Sequence, residues 1–237
     1  FHISGGDHHT MIHQVTPMAI PVCHNVWAAE AIKKEVSVPV IASGSITLPE
    51  YAEEILTSGK GDFIGLGRPL WADPEWPLKA EADRPEDIRP CIRCNEGCLE
   101  RTFFQFKAVT CAINPVISRE GELKITPATT KKQVAVIGGG PAGLEAARVA
   151  KLRGHDVTLF EEQERLGGLA NEAAAPEFKS DIRPLIKYQI TQLDKLGIPV
   201  EQKRATAADL AKFDAVICAT GSTPAHPPIP GTHKKNA

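Results

Sequence analysis

An α/β chain in two parts, joined by a cysteine-rich segment, is what three observations predict. Residues 1–88 and 132–237 both alternate short β-branched apolar runs with amphipathic helical patterns, as parallel strands with crossover helices require. Between them, Cys91, Cys94, Cys98 and Cys111 crowd together, while Cys23 and Cys218 stand apart. A glycine-rich run, Gly138-Gly139-Gly140-Pro141-Ala142-Gly143, closes one strand pattern and opens a helix pattern.

Taken in order, Pro39 to Gly44 is a buried strand bounded by Pro and Gly, and Asp62 to Gly67 is a second. A helix over Val26 to Lys34 precedes them. Another, from Pro49 to Thr57, lies between them and buries Ala52, Ile55 and Leu56. Residues 89–131 hold the cysteines and then a Pro- and Thr-containing connector. From Gln133 the alternation resumes: strand Val134–Ile137, helix Ala142–Arg153, strand Val157–Phe160, helix Pro184–Leu196, and strand candidates at Ile198–Val200 and Ala215–Ile217. Cys218 ends the last of these and reads as a core thiol. Cys23, Trp71 and Trp76 read as packing groups.

The composition narrows the class. The 237 residues are 42% hydrophobic and 24% charged, with a formal net charge of −2. That balance excludes a disordered chain and lacks the basic surplus of a nucleic-acid binder. No apolar run reaches the ~18–20 residues of a membrane span. Phe1 to Gly6 has neither an initiator Met nor a signal sequence and reads as a strand entered mid-chain. Bunched cysteines in such a chain point to a metal site in a reducing, cytoplasmic setting. The expected partner is a small-molecule substrate, with no nucleic acid and no membrane; a homo-oligomer is compatible with all of this.

Gly138, Gly140 and Gly143 form G-x-G-x-x-G in the strand-to-helix context that gives the pattern meaning. Gly138 permits the turn, Gly140 lets backbone approach a pyrophosphate, and Gly143 lets helix and strand pack closely. Pro141 and Ala142 open the helix whose N-terminus would face the anion. Glu161, after the second strand, stands where an acceptor for ribose hydroxyls belongs. Arg165-Leu166-Gly167-Gly168 and Ala219-Thr220-Gly221-Ser222-Thr223-Pro224 resemble segments of two-dinucleotide-binding flavoproteins, in which the first fingerprint holds FAD. That resemblance adds Arg165, Gly168, Thr220 and Gly221 to the FAD-binding candidates.

The cysteine spacing is C-x2-C-x3-C-x12-C. Four such thiolates can hold a tetrahedral zinc or a cubane [4Fe–4S] cluster. Structural zinc sites usually pair two CxxC knuckles, whereas three crowded cysteines with a remote fourth suit the cluster better.

Together these motifs resemble the iron–sulfur flavoenzymes that include 2,4-dienoyl-CoA reductase, trimethylamine dehydrogenase and enoate reductase. Members join an old-yellow-enzyme (β/α)8 barrel carrying FMN to a [4Fe–4S] segment and an FAD/NAD(P)H module. The resemblance covers essentially the whole chain. It implies that residues 1–88 are the C-terminal part of a TIM barrel, 89–131 the cluster segment and linker, and 132–237 a truncated FAD/NAD(P)-binding domain. A barrel needs about 250 residues, so roughly its last three β/α units are expected.

By the same resemblance, Ala42 to Ile46 and Gly65 to Leu70 are the two FMN-phosphate loops, with Gly44, Ser45, Gly67 and Arg68 as ligands. Many relatives carry Arg or Gly where Ser45 stands. Cys91, Cys94, Cys98 and Cys111 become the cluster ligands. His8 and His9, beyond the strand end at Gly6, are candidates to touch a substrate carbonyl or the flavin. The implied activity is an oxidoreductase passing electrons from NAD(P)H through FAD and [4Fe–4S] to FMN, which reduces an activated C=C bond of an enoyl-CoA or enoate. The alternatives are an amine dehydrogenase running the chain in reverse, and a non-catalytic electron-transfer module.

Overall fold

The computed structural model describes residues 1–223, 229 and 230. Two parallel sheets organise it. In the N-terminal part, β1 (Ile41–Ser43) pairs in parallel with β2 (Phe63–Gly65), with Ala42 opposite Ile64. The segment Phe1–Ile3 lies on the other side of β1: Ile41 N–H donates to Phe1 O (2.7 Å) and Ile3 N–H to Ile41 O (3.1 Å). Three adjacent parallel segments result. Around them run α1 (Met11–Gln14), α2 (Val26–Glu35), α3 (Pro49–Thr57), α4 (Arg68–Ala72) and α5 (Trp76–Glu81).

Pro at the first position of α3 fits that helix start, where its missing N–H costs nothing. Ile3, Ala29, Val40, Ala42, Ile46, Ile55 and Ile88 bury one core, and Trp76 joins it by donating its indole N–H to Thr47 O (3.1 Å). Leu56 does not join: it is 38% exposed, because α3 turns Ala52 and Ile55 inward and the next position outward. Cys23 packs against this core as a half-buried thiol, and burial pushes its pKa up to about 11.

The C-terminal sheet has the order β5–β4–β3–β6, all parallel, formed by β3 (Gln133–Ile137), β4 (Asp156–Glu161), β5 (Val200–Gln202) and β6 (Ala215–Cys218). The helices are α6 (Pro141–Leu152), α7 (Ala170–Ala173), α8 (Ile182–Lys195) and α9 (Ala207–Leu210). After exposed Gln133, central β3 continues as the apolar run Val134–Ile137, as a strand covered on both faces should. Val136, Leu144, Ala147, Leu159 and Leu193 fill the core between sheet and helices. Cys218 is exposed, contrary to the sequence reading. Among the described residues β6 is an edge strand, and Cys218 falls on the outward side of its alternation.

Ion pairs join the two units. Lys195 at the end of α8 meets Asp87 (2.8 Å) and Glu86, and Arg89 meets Glu145 (3.3 Å) while lying over the Tyr188 ring. Among the described residues, no helix is long and apolar enough to cross a membrane.

Candidate cofactor site

The C-terminal ends of β1 and β2 open onto a cavity of about 370 Å³ lined by Gly44, Ser45, Gly67 and Arg68, with His2, Asn25 and Trp71 among its other walls. Parallel strands place their following loops side by side at this end, so Ser45 and Arg68, 23 positions apart in sequence, converge. Arg68 opens α4 and is held by three elements. Its Nη1 donates to Thr16 O (2.9 Å) and to Asn95 Oδ1, and its Nη2 donates to Ser45 Oγ (2.8 Å). Burial lowers its pKa, opposed mainly by the neighbouring Cys91 and Cys98. Ser45 adopts φ 57°, the left-handed region that a glycine takes without cost, and its hydroxyl also meets Thr16 Oγ1.

Next to this cavity is a smaller one, and all four clustered cysteines line it, together with Arg68, Trp71, Arg93 and Asn95. Left-handed backbone at Arg93 (φ 50°) and Asn95 (φ 62°) folds the loop so that Cys91, Cys94 and Cys98 share one side. Cys98 then rides on a π-helical segment, Glu96–Phe104, a form often found at functional sites. Cys111 is brought back by Thr110 N–H donating to Gly97 O (2.9 Å). A Cβ at Gly97 would lie 2.6 Å from Thr110 O, so the return of Cys111 depends on that glycine. Burial pushes the Cys91 thiol up to about 11, with the Arg93 N–H and the Arg68 charge pulling the other way. Cys94 is also raised, first by burial. Among the described residues, no three His, Cys, Asp or Glu groups come together tightly enough for a single metal ion.

The third site is the turn between β3 and α6. A Cβ on Gly143 would fall 1.8 Å from Gly138 O, so only glycine lets α6 pack this closely to the strand end. At Gly140 an added Cβ would meet only Gly168 Cα, at 3.9 Å, which leaves approach open between the two loops. Gly140 is the N-cap of twelve-residue α6. Glu161 is buried: Oε2 accepts from Gly139 N–H (2.6 Å) and Oε1 from Gln163 N–H (2.7 Å). The glutamate therefore braces the loop. Thr220 and Gly221 follow β6 beside this turn, where Ala219 O approaches Gly138. Arg165 is exposed and paired with Glu172 (2.5 Å). Pro224 lies outside the described residues.

His8 and His9 are exposed, and neither lines the cavity at the sheet end; His9 N–H instead donates to Asp7 Oδ1 in a local turn. Trp71 is 42% exposed and forms a wall common to the two adjoining cavities, unlike the packed Trp76. Sequence reasoning missed Thr16, Asn25, Arg93 and Asn95, all buried or half-buried polar groups on the cavity walls or beneath them. Only the polarity of Arg93 and Asn95 within the cysteine motif offered a signal.

Residues 3–87 match the model of the NADH:flavin oxidoreductase / NADH oxidase family, and residues 132–237 match that of pyridine nucleotide-disulphide oxidoreductases. The chain is 45% identical over 235 residues to a metal reductase of Desulforamulus reducens, covering 96% of this chain and 35% of that protein. It is 43% identical over 208 residues to a cinnamate reductase of Clostridium sporogenes, covering 86% and 31%. A solved 2-naphthoyl-CoA reductase in complex with 2-naphthoyl-CoA superposes with a TM-score of 0.92 at 34% identity, over 99% of this chain and 36% of that one. The chain thus spans about a third of the length of the curated relatives it matches.

Proposed function

Because the chain belongs to the NADH:flavin oxidoreductase / NADH oxidase family through residues 3–87, with a pyridine nucleotide-disulphide oxidoreductase unit in residues 132–237, we propose that it serves an oxidoreductase in which electrons from NAD(P)H reach an activated C=C bond. The three parts we assign are an FMN-binding barrel end (1–88), a [4Fe–4S] segment (89–131) and an FAD-binding unit (132–237). FMN and FAD supply hydride chemistry when bound, and the cluster supplies single-electron transfer. Four bunched cysteines read as thiolate ligands, and not as disulfide partners, support a reducing, cytoplasmic setting.

The observation that carries this reading is spatial. The loop cavity at the sheet end and the cysteine cavity share Arg68, Trp71 and Arg93 as walls, and Arg93 reaches on to Asp181 of the dinucleotide unit. The donor types suit the cluster: Cys91, Cys94, Cys98 and Cys111 line one small cavity, with the guanidiniums of Arg68 and Arg93 among its walls to offset thiolate charge. For the phosphate of FMN, Arg68 spends three of its five donors on protein and keeps two for an anion. Gly44 and Gly67 keep side chains out of the approach. For FAD, the start of α6 offers backbone N–H groups at Gly140, Ala142 and Gly143, and Glu161 holds the loop while its remaining lone pairs serve ribose hydroxyls.

Cofactor content of anaerobically prepared protein tests this. FMN, FAD and about four irons with acid-labile sulfide per chain are expected, and Cys94→Ser should remove the iron. Stoichiometric zinc without iron would refute the cluster. Turnover of an amine with an electron acceptor, and none of an enoyl-CoA with NADH, would reverse the direction.

A further inference from the structure

We propose that Arg93 and Asp181 form a positioning pair that registers the cysteine loop against both flanking units and sets the charge beside the cluster. This rests on the iron–sulfur reading above. The Arg93 side chain is only 3% exposed, although its neighbours in the motif are the cysteines themselves. Its Nε donates to Asp181 Oδ2 (2.6 Å), its Nη1 to Ile20 O (2.6 Å) and its Nη2 to Met18 O (3.4 Å), while its own N–H donates to Cys91 Sγ (3.4 Å). One residue thus touches the N-terminal unit, a cluster ligand and the C-terminal unit.

Two local features accompany this contact. Arg93 holds a left-handed backbone (φ 50°) that an arginine rarely adopts. Asp181 is the N-cap residue of α8, and its side chain makes no capping hydrogen bond to that helix. Its backbone there is helical (φ −60°, ψ −16°), outside the extended form from which a cap bonds, so its carboxylate is free to meet Arg93. A guanidinium fork is what lets one side chain serve two backbone carbonyls and a carboxylate at once.

The charges have opposite consequences. A buried cation beside the cysteines favours the reduced, more negative state of a cluster, and a carboxylate behind it weakens that effect. Removing Arg93 therefore lowers the cluster's midpoint potential, whereas removing the charge of Asp181 raises it. A pair with only a structural role would move both variants in the same direction, or neither.

The experiment is a redox titration of the holoprotein followed by electron paramagnetic resonance, on wild type, Arg93→Met, Arg93→Lys and Asp181→Asn, with iron content measured first. Opposite shifts for Arg93→Met and Asp181→Asn, and an intermediate value for Arg93→Lys, are expected. Both uncharged variants should also slow electron transfer from the dinucleotide unit to the cluster by tenfold or more. If Arg93→Met loses its iron, Arg93→Lys and Asp181→Asn still give opposite directions. Unshifted potentials in iron-replete variants overturn this inference alone; wild type without iron overturns the iron–sulfur reading with it.

Discussion

The glycine-rich turn before α6 and the paired cavities at the end of the β1–β2 sheet are built by opposite means. The turn works by omission: Gly143 and Gly140 clear space for a helix and for an incoming group, and the contact that only glycine allows, Gly143 against Gly138 O, spans five positions. The paired cavities work by reach. Arg68 draws on Thr16 and Asn95, 52 and 27 positions away, and Arg93 meets Asp181 across 88. A site made of missing atoms tolerates no addition, while a site made of long polar side chains tolerates some loss at each bond. The two should therefore fail differently when mutated.

The largest effect is expected at Gly143. In Gly143→Ala the methyl must displace backbone, since Gly138 O occupies its place. Overpacking against an immovable neighbour costs about 3 kcal/mol, which lowers the melting temperature by roughly 10 °C in a chain of this size. Gly140→Ala is the control, because its Cβ meets nothing closer than 3.9 Å. It should melt with wild type yet bind FAD more weakly, the methyl standing where a pyrophosphate approaches. Thermal unfolding with and without FAD distinguishes the two. Equal loss of stability in both would erase the distinction between packing and approach glycines.

Arg68→Ala comes next and separates the sites by cofactor. It removes a charged donor from the loop cavity, and a charge-assisted bond contributes about 1.5–3 kcal/mol, so FMN retention should fall by roughly 10- to 100-fold. FAD retention should not change, because Arg68 lies in the other unit. Flavin released on gel filtration, resolved by chromatography, checks this. Loss of both flavins together would mean that Arg68 supports the fold and not the phosphate.

What could be read from sequence follows the same division. Strands, helices and the fingerprint turn were legible because periodicity and glycine spacing act over a few residues; α3 spans Pro49–Thr57 as predicted, and β3 and β4 extend their predicted cores by one or two residues. The four cysteines were legible as a group for the same reason. Arg93, Asn95 and Thr16 were not, because their partners lie far along the chain and nothing local marks them. Cys218 was misjudged since an apolar run looks alike in a central and an edge strand, and only sheet order separates them. His8 and His9 lie near a strand end in sequence, but sequence alone could not show that His9 sits in a local turn around Asp7 and that neither lines the cavity.

The smallest expected effect lies at Ser45, where the two design styles meet. Its left-handed backbone costs about 1 kcal/mol or more relative to glycine, while its hydroxyl accepts from Arg68 Nη2 at 2.8 Å. Ser45→Gly relieves the first and forfeits the second, a bond from a charged donor that contributes about 1.5 kcal/mol or somewhat more, so the two largely offset. Stability by urea unfolding should stay within about 1 kcal/mol of wild type. FMN affinity should fall only a few-fold, as Arg68 loses one of three tethers but keeps Thr16 O and Asn95. A gain well beyond that would show that backbone strain outweighs the tether. A large loss of FMN would show instead that Ser45 itself, and not its hold on Arg68, meets the phosphate.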